Sequence, residues 1–282
     1  FPLPLLKAKW RDYARIPARD RIEGIDVYYP RYLEIPGSLM LESSGLRMYR
    51  AFAKLVRALA TEFPFDVIHA HVALPDGQAG VLLKREYRKP LVITVHGQDF
   101  QTTLNREERV RNSLVEVLRE ADRIITVSTK LKNLVRDQDF YSKITVINNG
   151  IDEQYIPDSI PRPLSVRQAA SGGWKTGEER GEIRVLSVSN LKKTKGVDLT
   201  IQALATLVSR YPNLQLRVVG DGEERENLER LARELKVERH VTFLGKLPHA
   251  AVIEEMAKAE IFCLPSWQEG FGVVYIEAMA QG

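Results

Sequence analysis

The feature that most restricts the fold is an alternation: short runs rich in Val and Ile, each followed by a longer stretch with helical spacing. Runs this short and this continuously apolar suit strands buried on both faces, which belong to parallel sheets whose strands are joined by crossover helices. The pattern predicts strands at Asp66–His71, Leu91–His96, Arg123–Ser128 and Ile144–Ile147, then a second series at Arg184–Ser189, Leu214–Val219, His240–Leu244 and Ile261–Leu264. Helices are expected near 44–62, 77–88, 106–121, 198–210, 224–236 and 250–258. Two such series make two doubly wound α/β domains, and 282 residues suffice for each to bury its own core. Between them, Pro157 to Gly181 carries three prolines, Ser171-Gly172-Gly173 and mixed charge, which is linker chemistry. The expected organisation is an N-terminal domain over 1–156, a linker over 157–181 and a C-terminal domain over 182–282. Both domains are expected to be incomplete, since the first residues read as loop and the last ones as the end of a helix.

Composition narrows the function. Lys and Arg total 41 against 37 Asp and Glu, a net charge of +4 that does not point to nucleic acid. Cys263, the single cysteine, lies in the apolar run Ile261–Leu264, so it reads as a structural thiol in a reducing, cytoplasmic setting. No run reaches the roughly 18 apolar residues of a membrane helix. Basic residues do gather early: Lys7, Lys9, Arg11, Arg15, Arg19 and Arg21, then Arg47, Arg50, Lys54 and Arg57 along one helical stripe. They make a peripheral seat on an anionic inner membrane face one option, and a solvated basic surface the other.

Polar and glycine residues collect where the strands end, the edge at which open α/β sheets bind ligands. His96-Gly97-Gln98-Asp99 and Asn148-Asn149-Gly150 stand there in the first series. Ser189-Asn190, Gly220-Asp221-Gly222, Gly245-Lys246 and Ser266 to Gly270 stand there in the second. The densest constellation is Glu269-Gly270-Phe271-Gly272-Val273-Val274-Tyr275-Ile276-Glu277. A helix expected to begin near Phe271 would offer unpartnered amides to an anion, and the glycines allow close approach. Glu277 falls about two turns on among apolar neighbours, where a carboxylate needs hydroxyls or a cation to satisfy it. Lys195, held by the turn at Gly196, can neutralise a diphosphate, with Lys192 and Lys193 beside it. His69 and His71 are read as pointing to opposite sheet faces, and no zinc spacing, P-loop or complete dinucleotide fingerprint is found, Arg225 standing where the last glycine of such a fingerprint belongs.

In this order, Asp66 to His71, Thr94 to Asp99, Val146 to Asp152, Val219 to Gly222 and Glu269 to Glu277 resemble the family 4 retaining glycosyltransferases, of the GT-B fold, in which two Rossmann-like domains face a cleft. The resemblance covers the chain from about Asp66 onward and leans toward bacterial enzymes of surface-polysaccharide assembly. It implies that Glu269 contacts the donor sugar, that Glu277 holds the ribose, that Gly270, Phe271, Gly272 and Lys195 meet the diphosphate, and that His96 lies by the reacting sugar. Gly97 and Asp99 are the acceptor-side candidates. It further implies a nucleotide-diphosphate sugar as donor, a saccharide or lipid-linked acceptor, retained anomeric configuration, and neither metal nor cofactor. One position departs: Asn190 stands where the family usually has an arginine. An inactive nucleotide-sugar-binding module and a sugar-nucleotide epimerase of the same architecture remain as alternatives.

Overall fold

The computed structural model describes residues 15–34, 40–157 and 182–282. The chain forms two compact units that divide between Asn148 and Asn149. Residues 149–157 pack with the second unit, where the side-chain amide of Gln281 donates to the Tyr155 carbonyl at 2.6 Å. Of the expected linker, 158–181 lie outside the described residues.

The first unit opens with an antiparallel hairpin, β1 (Arg19–Ile22) and β2 (Ile25–Tyr28), that the sequence reading leaves as loop. Glu23 and Gly24, both at positive φ, turn it. Its strands are exposed on nearly every residue, so there is no apolar alternation to betray them. Four parallel strands then form a sheet in chain order: β3 (Ile68–His71), β4 (Leu91–Val95), β5 (Arg123–Thr126) and β6 (Ile144–Val146). Leu91, Ile93, Val95 and Ile124 are fully enclosed. The sheet is covered by helices that include α1 (Ser44–Glu62), α2 (Gln78–Tyr87), the single turn α3 (Gln98–Gln101), α4 (Glu108–Glu120) and α5 (Thr129–Asn133). In α4 the buried residues Val110, Leu114, Val117 and Leu118 recur at helical spacing and make one apolar stripe.

The second unit is doubly wound. Its parallel strands β7 (Ile183–Val188), β8 (Leu214–Val219), β9 (Val241–Gly245) and β10 (Ile261–Phe262) lie in the order β10-β7-β8-β9. Successive side chains serve opposite faces. Val185, Leu216 and Val218 pack under α6 (Val197–Leu207) and α7 (Arg225–Glu234). Leu186 and Val219 pack with Val252 and Met256 of α8 (His249–Ala257) on the other face. The chain ends in α9 (Val273–Ala280), which starts two residues later than expected, after Gly272 at φ 83°. Because β8 leaves β7 on one side and β10 joins it on the other, the loops after β7 and β10 depart from neighbouring strands at the point where strand order reverses. Such a switch point opens a crevice at the carboxyl ends of the strands.

Candidate active site

Loops after β7 and β10 are sewn together across this switch point. Thr194 accepts at its carbonyl from the Trp267 amide at 3.2 Å and from the Ser266 hydroxyl at 3.1 Å. Gly196 sits in the left-handed region at φ 69°, and a Cβ there would collide with the Pro265 carbonyl. Glycine at 196 therefore serves twice, for the turn and for the close approach. The result holds Lys195 in place: its Nζ lies 2.6 Å from Glu269 Oε1, with 18% and 22% of the two side chains exposed. Lys192 and Lys193, by contrast, stand in solvent. The two residues singled out for diphosphate and sugar are thus brought together, lysine against carboxylate.

Gly270, Phe271 and Gly272 follow directly and lead into α9, whose first amides face no preceding turn of helix. The Tyr275 hydroxyl donates to the Leu264 carbonyl at 2.7 Å and ties that helix back to the end of β10. Glu277 lies 2.9 Å from His249 Nε2 and is 17% exposed. The sequence reading missed His249, which lies 28 positions earlier and enters from the start of α8. Its ring in turn packs edge-on against Tyr155, with centroids 4.5 Å apart. Asn190 is exposed at the exit of β7. Nearby, Gly220 at φ 119° lies so close to Ser189 that a Cβ would overlap its carbonyl, which keeps the β7 and β8 exits side by side. Cys263 is partly buried, its sulfur 3.7 Å from the Thr200 hydroxyl.

The first unit corrects one expectation outright. His69 and His71 share a face of β3, their ring centroids 4.6 Å apart, because positions two apart on a strand point the same way. His69 Nε2 meets Thr94 Oγ1 at 2.8 Å, and His71 Nδ1 meets His96 Nε2 at 2.9 Å. His96 is therefore not a lone strand-end histidine but one of three. Burial, then the charges of His71 and His69, hold its imidazole below the usual range. Burial and His71 do the same to His69. Among the described residues no group of three or more His, Cys, Asp or Glu is arranged to hold a metal ion.

Gly97, at φ 138°, turns the chain out of β4 into α3. Asp99 is 2% exposed, with Oδ1 accepting from the Ala73 amide at 3.0 Å. It holds the loop after β3 from inside. Burial pushes its carboxyl from 3.8 up to about 6 and also raises that of Asp76 in the same loop. Val72, which follows His71, takes φ 72°, an uncommon place for a β-branched residue and a local strain beside the histidines.

Comparison with known proteins agrees with this geometry. Residues 13–155, half of the chain, match the family model described as Glycosyltransferase Family 4, and residues 173–282 match Glycosyl transferases group 1. The chain belongs to glycosyltransferase family 4. Within that family it is 30% identical over 249 residues to the glycogen synthase of Mycobacterium tuberculosis, covering 84% of this chain and 56% of that protein. It thus spans little more than half the length of that curated relative. Sucrose-phosphate synthase from Thermosynechococcus elongatus has the same fold, with a TM-score of 0.74 at 22% identity over 95% of this chain and 67% of that one. The Anabaena protein Alr3699/HepE, in complex with UDP-glucose, is 25% identical with a TM-score of 0.61, over 82% of this chain and 61% of that one. The fold is the GT-B arrangement of two Rossmann-like domains, as the motifs led us to expect.

Proposed function

We propose that the protein transfers a hexosyl group from a nucleotide-diphosphate sugar to a saccharide or lipid-linked acceptor, with retention of configuration and without a required metal. The observation that carries this reading is the Lys195–Glu269 pair beside Gly270–Gly272 at the switch point of the second sheet. A cation stands there in the loop beside a glycine-led helix start, as a diphosphate requires, and a carboxylate stands where sugar hydroxyls would follow. Family membership and the likeness to a protein bound to UDP-glucose support it. His96, at the end of β4, is kept as the residue that the family resemblance places by the reacting sugar. In the cytoplasm the acceptor could be presented at a membrane. Arg47 and Arg57 are committed to Glu34 and Glu86, so the stripe on α1 is reduced to Arg50 and Lys54. Two cations contribute ~2 kcal/mol at an anionic surface, too little for stable attachment alone. The Lys7, Lys9 and Arg11 cluster lies outside the described residues. Titration with UDP, GDP and ADP, followed by transfer assays with the matching sugars in EDTA and NMR of the product anomer, tests the proposal. Binding without transfer would favour the inactive-module alternative, and an inverted product would refute retention.

Three variants carry expected results under the same reading. Glu277→Gln should weaken free nucleotide diphosphate and nucleotide sugar alike, by about 1.5 kcal/mol or tenfold, because the ribose is common to both. Glu269→Gln should leave free diphosphate bound at least as tightly, since Lys195 loses the carboxylate that now neutralises it, while transfer falls. Calorimetry on both variants with both ligands checks this, and equal losses of diphosphate affinity would end the division of labour. Asn190→Arg should preserve turnover or raise it by no more than about fivefold. The position is exposed, and a cation there contributes at most ~1 kcal/mol after screening. A drop in kcat for this variant would show that the added charge is misplaced.

A further inference from the structure

Glu277 is held by more than its own helix. Its Oε1 lies 2.9 Å from His249 Nε2, and among the described residues no other side chain bonds to this carboxylate. Chemistry sets the direction of that bond: an ionised carboxylate only accepts, so the hydrogen sits on Nε2 whether the ring is neutral or charged. One lone pair of Oε1 is thereby taken, which leaves its other lone pair and the whole of Oε2. We propose that His249 is a positioning residue for Glu277: its Nε2–H pins Oε1 and leaves Oε2 to the vicinal hydroxyls of a ribose. The proposal rests on the reading of Glu277 as the ribose-holding residue.

His249 is itself held, as this task requires. It is the first residue of α8, where Pro248 sets the entry and accepts at its carbonyl from the Val252 amide at 3.1 Å. Its ring stands edge-on to Tyr155, with 4.5 Å between centroids and 86° between planes. Tyr155 closes the short turn Glu153–Tyr155, which is capped by Asp152 Oδ1 accepting from the Gln154 amide at 3.1 Å. Gln281 donates to the Tyr155 carbonyl at 2.6 Å from one helical turn beyond Glu277, so both residues leave the same face of α9. That face therefore engages one small block twice, through the His249 ring and through the Tyr155 backbone. The side chains of Glu277 and His249 are 17% and 47% exposed. The carboxylate is thus enclosed enough for one hydrogen bond to decide its rotamer, and the ring is open enough to be replaced without emptying the core.

Two substitutions in the full chain separate the hydrogen bond from the packing. His249→Phe keeps the edge contact with Tyr155 and removes the donor, while His249→Gln returns an amide donor near the place of Nε2. Without ligand, NMR couplings of the Glu277 side chain should report a single rotamer in the wild type and in His249→Gln, and averaging in His249→Phe. Calorimetry should find UDP affinity about tenfold lower in His249→Phe and within about threefold of wild type in His249→Gln. With 2′,3′-dideoxy-UDP, which lacks the vicinal hydroxyls, wild type and His249→Phe should bind within about twofold of each other, which a general loosening of the site would not give. Unaltered Glu277 couplings in His249→Phe overturn the proposal, as do equal losses for both nucleotides. Tighter UDP binding in His249→Phe overturns it too, since His249 would then compete with the ribose. If the couplings change as described while UDP affinity is indifferent to Glu277→Gln, the ribose reading fails and the positioning of Glu277 by His249 stands.

Discussion

Asp99→Asn is expected to make the protein more stable at neutral pH and to remove most of the pH dependence of stability between about 4 and 6. Asp99 is enclosed, its Oδ2 has no hydrogen-bond partner among the described residues, and burial lifts its carboxyl from 3.8 to about 6. A carboxyl raised in the folded state binds more protons there than in the unfolded chain throughout that window. Stability is therefore greatest below the unfolded value and is lost as pH rises toward about 6. Ionising Asp99 in place costs ~3 kcal/mol at pH 7. Asparagine does not titrate and still accepts from the Ala73 amide. Its NH2, placed where Oδ2 now lacks a partner, costs back ~1 kcal/mol, which leaves a net gain of about 2 kcal/mol. Urea unfolding of both proteins at pH 4.5 and 7.5 reads the effect as a difference, so the contribution of Asp76, present in both, largely cancels. Equal pH slopes in the two proteins would show that Asp99 does not carry the charge cost.

What could be read from residues alone follows from which forces are local. Strand β8 falls at Leu214–Val219 and helix α1 at 44–62 as expected, since both rest on apolar periodicity that any burial must respect. The β1–β2 hairpin escaped because almost all of its side chains face solvent, so its pairing leaves no hydrophobic trace. In the candidate site, Lys195, Glu269 and Glu277 were legible from their spacing about the glycines. Their partners were not: the Lys195–Glu269 contact joins positions 74 apart and the Glu277–His249 contact positions 28 apart, through strand order that a single chain does not display. The histidine cluster is different. Period-two parity already places His69 and His71 on one face, and the parallel register of β3 with β4 brings His96 to them. That signal is present in the sequence. Asp99 illustrates the opposite limit, because a carboxylate at a strand exit looks exposed until the loop that closes over it is seen.

Lys195→Ala should lower kcat by about 100-fold or more, the largest effect expected of any single change in the second unit. A departing diphosphate gains negative charge as the glycosidic bond breaks, and a preorganised donor aimed at that charge is commonly worth roughly 3 kcal/mol in a partly dehydrated crevice. Lys195 fits this task better than its neighbours. Lys192 and Lys193 are exposed and would be screened, whereas Lys195 is held by the Gly196 turn, the Thr194 contacts and Glu269. Removing the amine also deprives Glu269 of its cation and leaves a carboxylate facing the bound diphosphate, so the loss in UDP affinity should exceed that of the cation alone. A double variant with Glu269→Gln separates the two contributions. If the pair acts as one unit, the double variant should bind UDP more tightly than Lys195→Ala alone, a non-additivity that contacting charges show and distant ones do not. UDP affinity by calorimetry is readable even without transfer, and kcat is measured where transfer occurs. A Lys195→Ala enzyme with kcat within a factor of two of wild type would mean that the diphosphate is held elsewhere. A double variant that binds UDP no better than Lys195→Ala would mean that Glu269 does not face it.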